Sequence, residues 1–313
     1  QAVERHADQH EAWLALAQAQ LAGGLLEEAQ NSADKAAELA EKAPDVLALS
    51  GEIALKNRQY AKARQYALSA LETQPDHTGA LLVLARSFEG LEMPGEALEA
   101  LEKAIPLAKD PLPLRLEKAR LLKRHKGIES AVRFLHELAE ASPDEPLILA
   151  PLAEMLMEAG EGEPALKAAR QALHDEEVKL SAEERARLHY LIGRQLHRSG
   201  QLDQAVYHLS EAILQWPADM ESYLELGKVY QERRQHAQAL RIYQQAVRLA
   251  GEDYRPFYYA GQALKETKDY QQAESMLRKA VELAPQDVNV HRLLGAVVAL
   301  NLVHNRQSQS IGR

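Results

Sequence analysis

The stretch "YLELGKVY", residues 223–230, places apolar residues four and one positions before Gly227 and three positions after it. Residues at such spacing lie on one face of an α-helix, because the helix completes a turn in about 3.6 residues. A glycine within that face lets a second helix come close, since the distance between packed helices follows the size of the side chains at their contact. The stretch therefore predicts the first helix of a tightly packed helix pair.

The position of Gly227, which we call the anchor position, recurs along the chain with a period of 34 residues. It is glycine or alanine each time, and alanine stands twelve residues after each of the first eight anchors. Such regularity predicts a tandem array of helix pairs whose small residues face each other. The anchors are Ala17, Gly51, Ala85, Ala119, Ala153, Gly193, Gly227, Gly261 and Gly295, with six extra residues between the fifth and the sixth.

The repeated pattern resembles the tetratricopeptide repeat over about nine-tenths of the chain. The stretch at 223–230 fits the family's aromatic-x-x-Leu-Gly-x-x-Tyr motif, Ala239 and Tyr243 continue it, and Pro217 fits the closing proline. The resemblance implies an all-α fold, a right-handed tetratricopeptide superhelix (α-solenoid) of antiparallel helix pairs.

The fourth repeat departs from this motif in the basic stretch "RLEKARLLKRHKG", residues 115–127. Arg115 and Lys118 occupy positions that are usually apolar, so we expect them to extend to the surface or to pair with Glu99 or Glu102. The other basic residues of the stretch fall on different sides of the helix. The stretch therefore does not predict a nucleic-acid-binding stripe.

The register of the repeats also divides the chain into segments. Within the extra residues, Ser181 followed by Glu184 predicts a capping box and an extended first helix for the sixth repeat. The last helix carries Val297, Val298, Leu300 and Val303, which is too apolar for a solvent-facing end, so we expect it to pack on another copy or on further sequence. We expect residues 1–8 to end a preceding repeat, 9–173 to form repeats one to five, 174–187 to be the insertion, 188–286 to form repeats six to eight, 287–304 to be a ninth first helix, and 305–313 to be a disordered tail.

The composition excludes several classes of function. A formal net charge of -9 gives no general attraction to nucleic acid or to anionic membranes. The absence of cysteine excludes disulfides, thiolate metal sites and a cysteine nucleophile. No apolar run reaches the roughly 18 residues that a membrane-spanning helix needs. We expect a cytoplasmic protein, although the same features also fit a periplasmic one.

Motifs of catalysis and metal binding are missing from the sequence. It contains no glycine-rich phosphate loop and no His-Glu-x-x-His motif. His6 and His10 are four residues apart but straddle a predicted helix junction, so we expect solvated side chains there. The acidic cluster of Asp175, Glu176 and Glu177 lacks the spacing of a calcium loop. We therefore expect no catalytic residues, no metal and no cofactor.

In the family that the chain resembles, the first helices line a groove with the positions six and two before the anchor and one and five after it. The charge of this face alternates from repeat to repeat, and we expect the arginines of the fourth and sixth repeats (Arg120, Arg124, Arg194 and Arg198) to face the glutamates of the fifth (Glu154 and Glu158). The candidate groove residues are Arg86, Glu117, Arg120, Arg124, Glu154, Glu158, Arg187, Tyr190, Arg194, Arg198, Leu224, Glu225, Lys228, Tyr258, Tyr259 and Gln262.

Two interpretations of this face compete. The charges either form a ladder of ion pairs between repeats, each contributing about 0 to 1 kcal/mol, or they hold a charged peptide, with Tyr190, Tyr258 and Tyr259 as aromatic contacts. The Lys/Asn clamp that some family members use for chaperone tails is not matched, because Leu14 and Leu49 stand on this face.

We expect a scaffold that binds a protein or peptide, with possible self-association through the helix at 288–304, no nucleic-acid partner and no direct membrane span. The alternatives are an accessory or sensory region of a larger glycosyltransferase, kinase or signalling ATPase, and an envelope scaffold of the kind used in bacterial polysaccharide export.

Overall fold

The computed structural model describes residues 9–174 and 180–311, with side chains to residue 306. The predicted end of a preceding repeat at 1–8, His6, and the acidic cluster at 175–177 lie outside the described residues. Over the described part the chain forms seventeen α-helices, one short 3-10 turn and no strand. The chain divides into two compact units, Gln1–Phe134 and Leu135–Arg313. The all-α solenoid expected from the repeats is confirmed.

The first unit contains three complete helix pairs, the first helix of a fourth pair, and the start of helix α8. A 3-10 turn, Ile105–Leu107, follows α6. The helices are α1 (His10–Ala22), α2 (Leu26–Leu39), α3 (Pro44–Lys56), α4 (Tyr60–Thr73), α5 (Thr78–Gly90), α6 (Pro94–Ala104) and α7 (Leu112–Lys126).

The second unit contains four complete pairs and a last, single helix. Helix α8 (Ile128–Ala141) begins before the boundary between the units and ends after it. The remaining helices are α9 (Pro146–Glu158), α10 (Gly162–Ala172), α11 (Ala182–Arg198), α12 (Leu202–Gln215), α13 (Met220–Glu232), α14 (His236–Leu249), α15 (Arg255–Glu266), α16 (Tyr270–Leu283) and α17 (Val288–Ile311).

Small residues at the predicted positions form the contacts between paired helices. The first eight anchors are buried, and the alanines twelve residues after them are at most 1% exposed. A Cβ atom at Gly227 would stand 2.2 Å from Cε1 of Tyr243, so the anchor must be glycine where a large side chain of the second helix lies over it. The same arrangement occurs in the sixth and eighth repeats. A Cβ atom at Gly193 would stand 2.7 Å from the Leu209 side chain, and one at Gly261 would stand 2.6 Å from the Leu277 side chain.

A residue with left-handed backbone geometry follows each first helix of the eight pairs. It lies seven residues after the anchor, except in the fourth repeat, where it lies eight after it. Glycine adopts this conformation without steric cost, whereas other residues lose about 1 kcal/mol. The glycines are Gly24, Gly127, Gly160 and Gly200, and the other four residues are Arg58, Glu92, Arg234 and Lys268.

The insertion lengthens a first helix, as predicted. Helix α11 has 17 residues, whereas α13 has 13. Ser181 caps α11, since its hydroxyl accepts a hydrogen bond from the Glu184 amide at 3.2 Å, while the Glu184 carboxylate accepts one from the Ser181 amide at 2.8 Å. The predicted capping box is therefore confirmed.

The last helix differs from its prediction at its C-terminal end. Helix α17 continues to Ile311, so the disordered tail predicted from residue 305 is wrong over 305–311. No proline or glycine occurs in the sequence between Gly295 and Gly312, so nothing in it stops the helix. Val297 is fully buried against Leu264 and Leu277.

Lys118 in the atypical fourth repeat extends to the surface as predicted. Its ammonium lies 2.8 Å from the Glu102 carboxylate and 4.9 Å from the ring centre of Phe134. The aliphatic stem thus replaces the usual apolar side chain while the charge is paired.

Candidate interaction surface

The first helices of the repeats carry all sixteen candidate groove residues, and we call the face they occupy in each unit the first-helix surface of that unit. Fifteen of the sixteen retain solvent exposure. Leu224 does not, because it is 1% exposed and packs with Tyr243 and Ala260 in the core. The prediction of Leu224 as a groove residue is therefore wrong. At this position, three residues before the anchor, the side chain of α13 packs against the neighbouring helices.

In the first unit, two ion pairs join the first helices α5 and α7. Nε and Nη2 of Arg86 donate to the two carboxylate oxygens of Glu117, at 2.9 and 3.2 Å. Arg124 pairs with Glu89. A bidentate guanidinium–carboxylate contact fixes the orientation of both side chains. Arg120, on the same helix as Arg124, is exposed.

Glu52 adds a third repeat to this row of charges. Burial raises the pKa of its carboxyl, and the positive charge of Arg86 acts in the opposite direction. The hydrogen bond with Glu117 raises the pKa of the Arg86 guanidinium above its ordinary value. Arg86 is therefore charged and held between two acids from the neighbouring repeats.

In the second unit, His197 bridges two carboxylates of the next first helix. Its Nδ1 lies 2.8 Å from Glu225 and its Nε2 lies 2.9 Å from Glu232. A carboxylate can only accept, so both contacts are hydrogen bonds only when the imidazole carries two protons. The side chain of Glu225 is 12% exposed, and Lys228 donates to it at 3.1 Å.

The environment of Glu225 favours its ionised form. Burial alone would raise the pKa of this carboxyl, but the hydrogen bond from His197 and the charge of Lys228 outweigh burial and lower it. The contact therefore joins the Glu225 carboxylate to the imidazole of His197 in the preceding repeat.

Arg255 forms the corresponding contact between α13 and α15. Its Nη1 donates to Glu221 at 3.2 Å and its Nη2 to Asp253 at 2.6 Å. These contacts, with those of Arg86, Arg124 and His197, establish ion pairs between neighbouring repeats within each unit.

Tyrosines gather near the C-terminal end of the first-helix surface. The ring of Tyr259 stacks on Tyr243 with centroids 5.5 Å apart and meets Tyr258 edge-on at 5.3 Å. The Lys228 ammonium lies 5.3 Å from the Tyr259 ring centre. Beside them is a cavity of about 260 Å³, which we call the tyrosine cavity. It is lined by Tyr254, Arg255, Tyr258, Tyr259, Asp287, Asn289 and Val290.

The other predicted residues of the second unit lie on α9, α11 and α15. Arg187 pairs within its helix with Glu183, and its guanidinium lies 6.0 Å from the Trp216 ring centre. Burial raises the pKa of the Tyr190 hydroxyl. The expected facing of arginines and glutamates across repeats four to six stays a prediction. Of the remaining candidates, Glu154, Arg194 and Gln262 are partly exposed, and Glu158 and Arg198 are exposed.

Two residues that form ion pairs on this surface lie outside the predicted positions. Glu89 and His197 both lie four residues after their anchor, one position before the predicted face ends. Position four is one helical turn beyond position one, so the face is wider than the spacing we used. The sequence feature that could have identified Glu89 and His197 is a charged or imidazole side chain four residues after the anchor.

The described residues contain no group of three or more histidine, aspartate or glutamate side chains arranged to hold a metal ion. Among the described helices none is both long and apolar enough to cross a bilayer.

Family models described as tetratricopeptide repeat match residues 49–111 and 231–297. A comparison with curated proteins finds no match.

Solved structures share the fold at low sequence identity. YrrB, described as a tetratricopeptide protein with an unusual peptide-binding site, is 20% identical over 62% of this chain and 97% of its own, with a TM-score of 0.52. The C-terminal part of a repeat-containing protein from Cytophaga hutchinsonii is 12% identical over 78% of this chain and 98% of its own, at 0.57.

A chain of the APC/C hetero-tetramer Cut9-Hcn1 is 14% identical, with a TM-score of 0.55. The match covers 93% of the present chain and 56% of that one, so the present chain spans about half its length. At these identities the similarities establish the fold and nothing further.

Proposed function

Because the chain carries tetratricopeptide repeats in an all-α solenoid, we propose that it is a protein-interaction scaffold that binds an extended segment of a partner protein on its first-helix surface. The observation that carries this proposal is the tyrosine cavity. Its lining comes from the N-terminal parts of α15 and α17 and the residues just before them, and it includes Tyr258 and Tyr259 of the first-helix surface.

The chemistry of the tyrosine cavity suits a side chain with an apolar body. Tyr258 and Tyr259 are partly exposed and offer ring faces and edges, which gain most from contact with apolar or aromatic groups. The Tyr254 hydroxyl donates to Asp287 at 2.7 Å, and this bond raises the pKa of the tyrosine to about 12. The rim is therefore neutral at the tyrosine and fixed in position before a ligand arrives.

Several arginines of the first-helix surface are already engaged in ion pairs within the chain. Arg86, Arg124 and Arg255 are each held by a carboxylate of the chain itself. A ligand that displaced these contacts would have to replace their hydrogen bonds. We therefore assign most of the binding energy to the tyrosines, and a lesser part to the exposed Arg198 of the same unit.

A peptide-display selection on the full chain tests this function. We expect enriched peptides to share an aromatic or large apolar residue, and to compete with one another for a single site. Tyr258→Ala should weaken capture, while Tyr207→Ala should not, because Tyr207 is 59% exposed on the second helix α12. Enrichment of peptides that bind both variants and the parent equally would reject the proposal.

A further inference from the structure

A second cavity, of about 550 Å³, lies in the second unit where α10, α11 and α12 meet. None of its lining residues is a candidate of the first-helix surface. It lies beside the insertion, where α11 extends beyond the usual length. The titratable and charged groups that line it are Arg170, His174, Arg185, His189, His208 and Glu211, together with the phenol of Tyr207.

Two histidines of this cavity depart from the repeat pattern together. His189 lies four residues before its anchor, where most other repeats have a large apolar or aromatic residue, although Arg115 and His291 also stand at this position. His208 lies fifteen residues after the same anchor, where other repeats have Ser32, Tyr66, Ala100, Phe134, Ala168, Ile242 and Met276. The two histidines meet, with their Nδ1 atoms 3.1 Å apart. Most other repeats place apolar side chains at these two positions, so packing of the helix pair does not by itself require two imidazoles.

A second, independent observation is an unpaired hydrogen-bond donor on the Arg185 side chain. Its Nε atom is buried and has no hydrogen-bond partner in the part of the chain that the structure describes. Buried donors of charged groups are normally satisfied, because an unpaired one loses its hydration without compensation. Arg185 and Arg170 both line the cavity, so the space beside this unpaired donor is bordered by two arginines.

The charge balance of the cavity favours an anion. Burial lowers the pKa of His189, and burial with the nearby charges of His189 and Arg170 lowers that of His208 to about 4. With both imidazoles neutral, the charges among the described lining residues are two guanidiniums and the single carboxylate of Glu211. Among the described lining residues the net charge is thus positive, which favours an anion over a metal ion beside the two histidines.

We propose that this cavity binds the phosphate group of a small phosphorylated molecule, with Arg170 and Arg185 as charged donors and the His189–His208 pair as further donors. The donors come from three helices, and a tetrahedral oxyanion offers oxygens in three directions, whereas a carboxylate offers two in one plane. The cavity is larger than a phosphate ion, which leaves room for the organic part of the ligand.

Proton uptake follows from this arrangement. A dianion beside the histidine pair stabilises an imidazolium, so binding strengthens as the pH falls from 7.5 to 5.5. Sulfate is a suitable probe for this linkage, because its own charge does not change in that range. Glycerol phosphate, with glycerol as its uncharged control, tests the phosphate ester itself.

Isothermal titration calorimetry of the full chain gives the decisive comparison. We expect saturable binding of glycerol phosphate and sulfate, little of succinate, and sulfate binding about tenfold tighter at pH 5.5 than at pH 7.5. Arg185→Gln should weaken binding by about tenfold or more. Arg278→Gln, which removes the same charge at the position equivalent to Arg170 three repeats later, should not.

The double variant His189→Leu/His208→Ile separates loss of binding from loss of folding. It installs the side chains that other repeats carry at these positions, so its circular dichroism and thermal unfolding should be retained while oxyanion binding is lost. Absence of binding by the parent chain, equal binding of succinate, or undiminished binding by the folded double variant would each overturn the proposal. Peptide capture on the first-helix surface should be unaffected by these variants, so the two proposals fail independently.

Discussion

Tyr243 lies directly over Gly227, with its hydroxyl donating to Gln231 at 2.7 Å and its ring in the space that a Cβ atom on the glycine would occupy. This contact joins the two helices of the seventh repeat through the closest approach among the glycine anchors. We expect Gly227→Ala to lower the free energy of unfolding by about 2 kcal/mol, because the buried ring cannot move without disturbing its neighbours. Chemical denaturation measures the change.

Gly295 supplies the matched control for that substitution. It occupies the same register in α17, but a Cβ atom there would meet nothing within 4 Å. In dilute protein, Gly295→Ala should stabilise by about 0.5 kcal/mol, since alanine favours the helix interior. If both substitutions changed the free energy of unfolding in the same direction, close packing would not be the reason for glycine at the anchor.

The His197 bridge predicts coupling between two repeats. His197→Leu leaves Glu225 largely buried with Lys228 as its one remaining charged partner among the contacts described above, so we expect a loss of about 1 to 2 kcal/mol in the free energy of unfolding. Glu232 is 56% exposed, and Glu232→Gln should cost about 0.5 kcal/mol or less.

A double-mutant cycle of His197→Leu with Glu225→Gln isolates the contact itself. We expect the second substitution to recover part of the loss, because it removes the buried charge. Strict additivity of the two changes would contradict the bridge.

The histidine pair of the second cavity predicts a pH dependence of stability. The pKa of His208 is about 4 in the folded chain and near 6.5 when unfolded, so the unfolded chain takes up the proton first as the pH falls. The contribution to stability is therefore complete above about pH 6.5 and is lost as the pH falls toward 4. We expect the free energy of unfolding to drop by about 1 to 2 kcal/mol between pH 7 and pH 5.

The comparison variant for this dependence is His189→Leu/His208→Ile, which lacks both titrating groups. Its free energy of unfolding should fall less over the same interval. Parallel pH profiles for the two proteins would assign the dependence to other groups.

The exposed side of α17 predicts self-association. Leu300, Leu302 and Val303 are 39%, 57% and 54% exposed, and Gly295 beside them leaves room for a close contact. We expect a concentration-dependent dimer in sedimentation experiments, abolished by Leu302→Glu. Leu214→Glu, at a 70% exposed leucine on α12, is the control and should leave the dimer intact. A parent chain that stays monomeric at high concentration would contradict this prediction.

The sequence allowed the helix pairs to be predicted because small residues at a fixed period leave little freedom in their packing. The buried alanines and the Ser181–Glu184 capping box follow from local rules of that kind. The end of α17 was missed because Asn305 and Ser308 favour helix weakly yet do not stop it.

The contacts between repeats were harder to predict, since they depend on the offset of one helix against the next. Arg124 pairs with Glu89 of the preceding repeat, a partner that sequence spacing within a helix does not reveal. The anomalous His189 and His208 were visible in the register, but their meeting depends on how α11 and α12 pack.

The measurement that tests the central claim most directly is the affinity of a display-selected peptide for a chain whose tyrosine cavity is filled. Asn289→Trp places a large side chain in the cavity from the first turn of α17, and Gln271→Trp places the same side chain at the equivalent position of α16, outside the cavity. We expect the first to weaken binding by about tenfold or more, and the second to leave it unchanged. Equal affinity of both variants for the peptide would contradict partner binding at the first-helix surface.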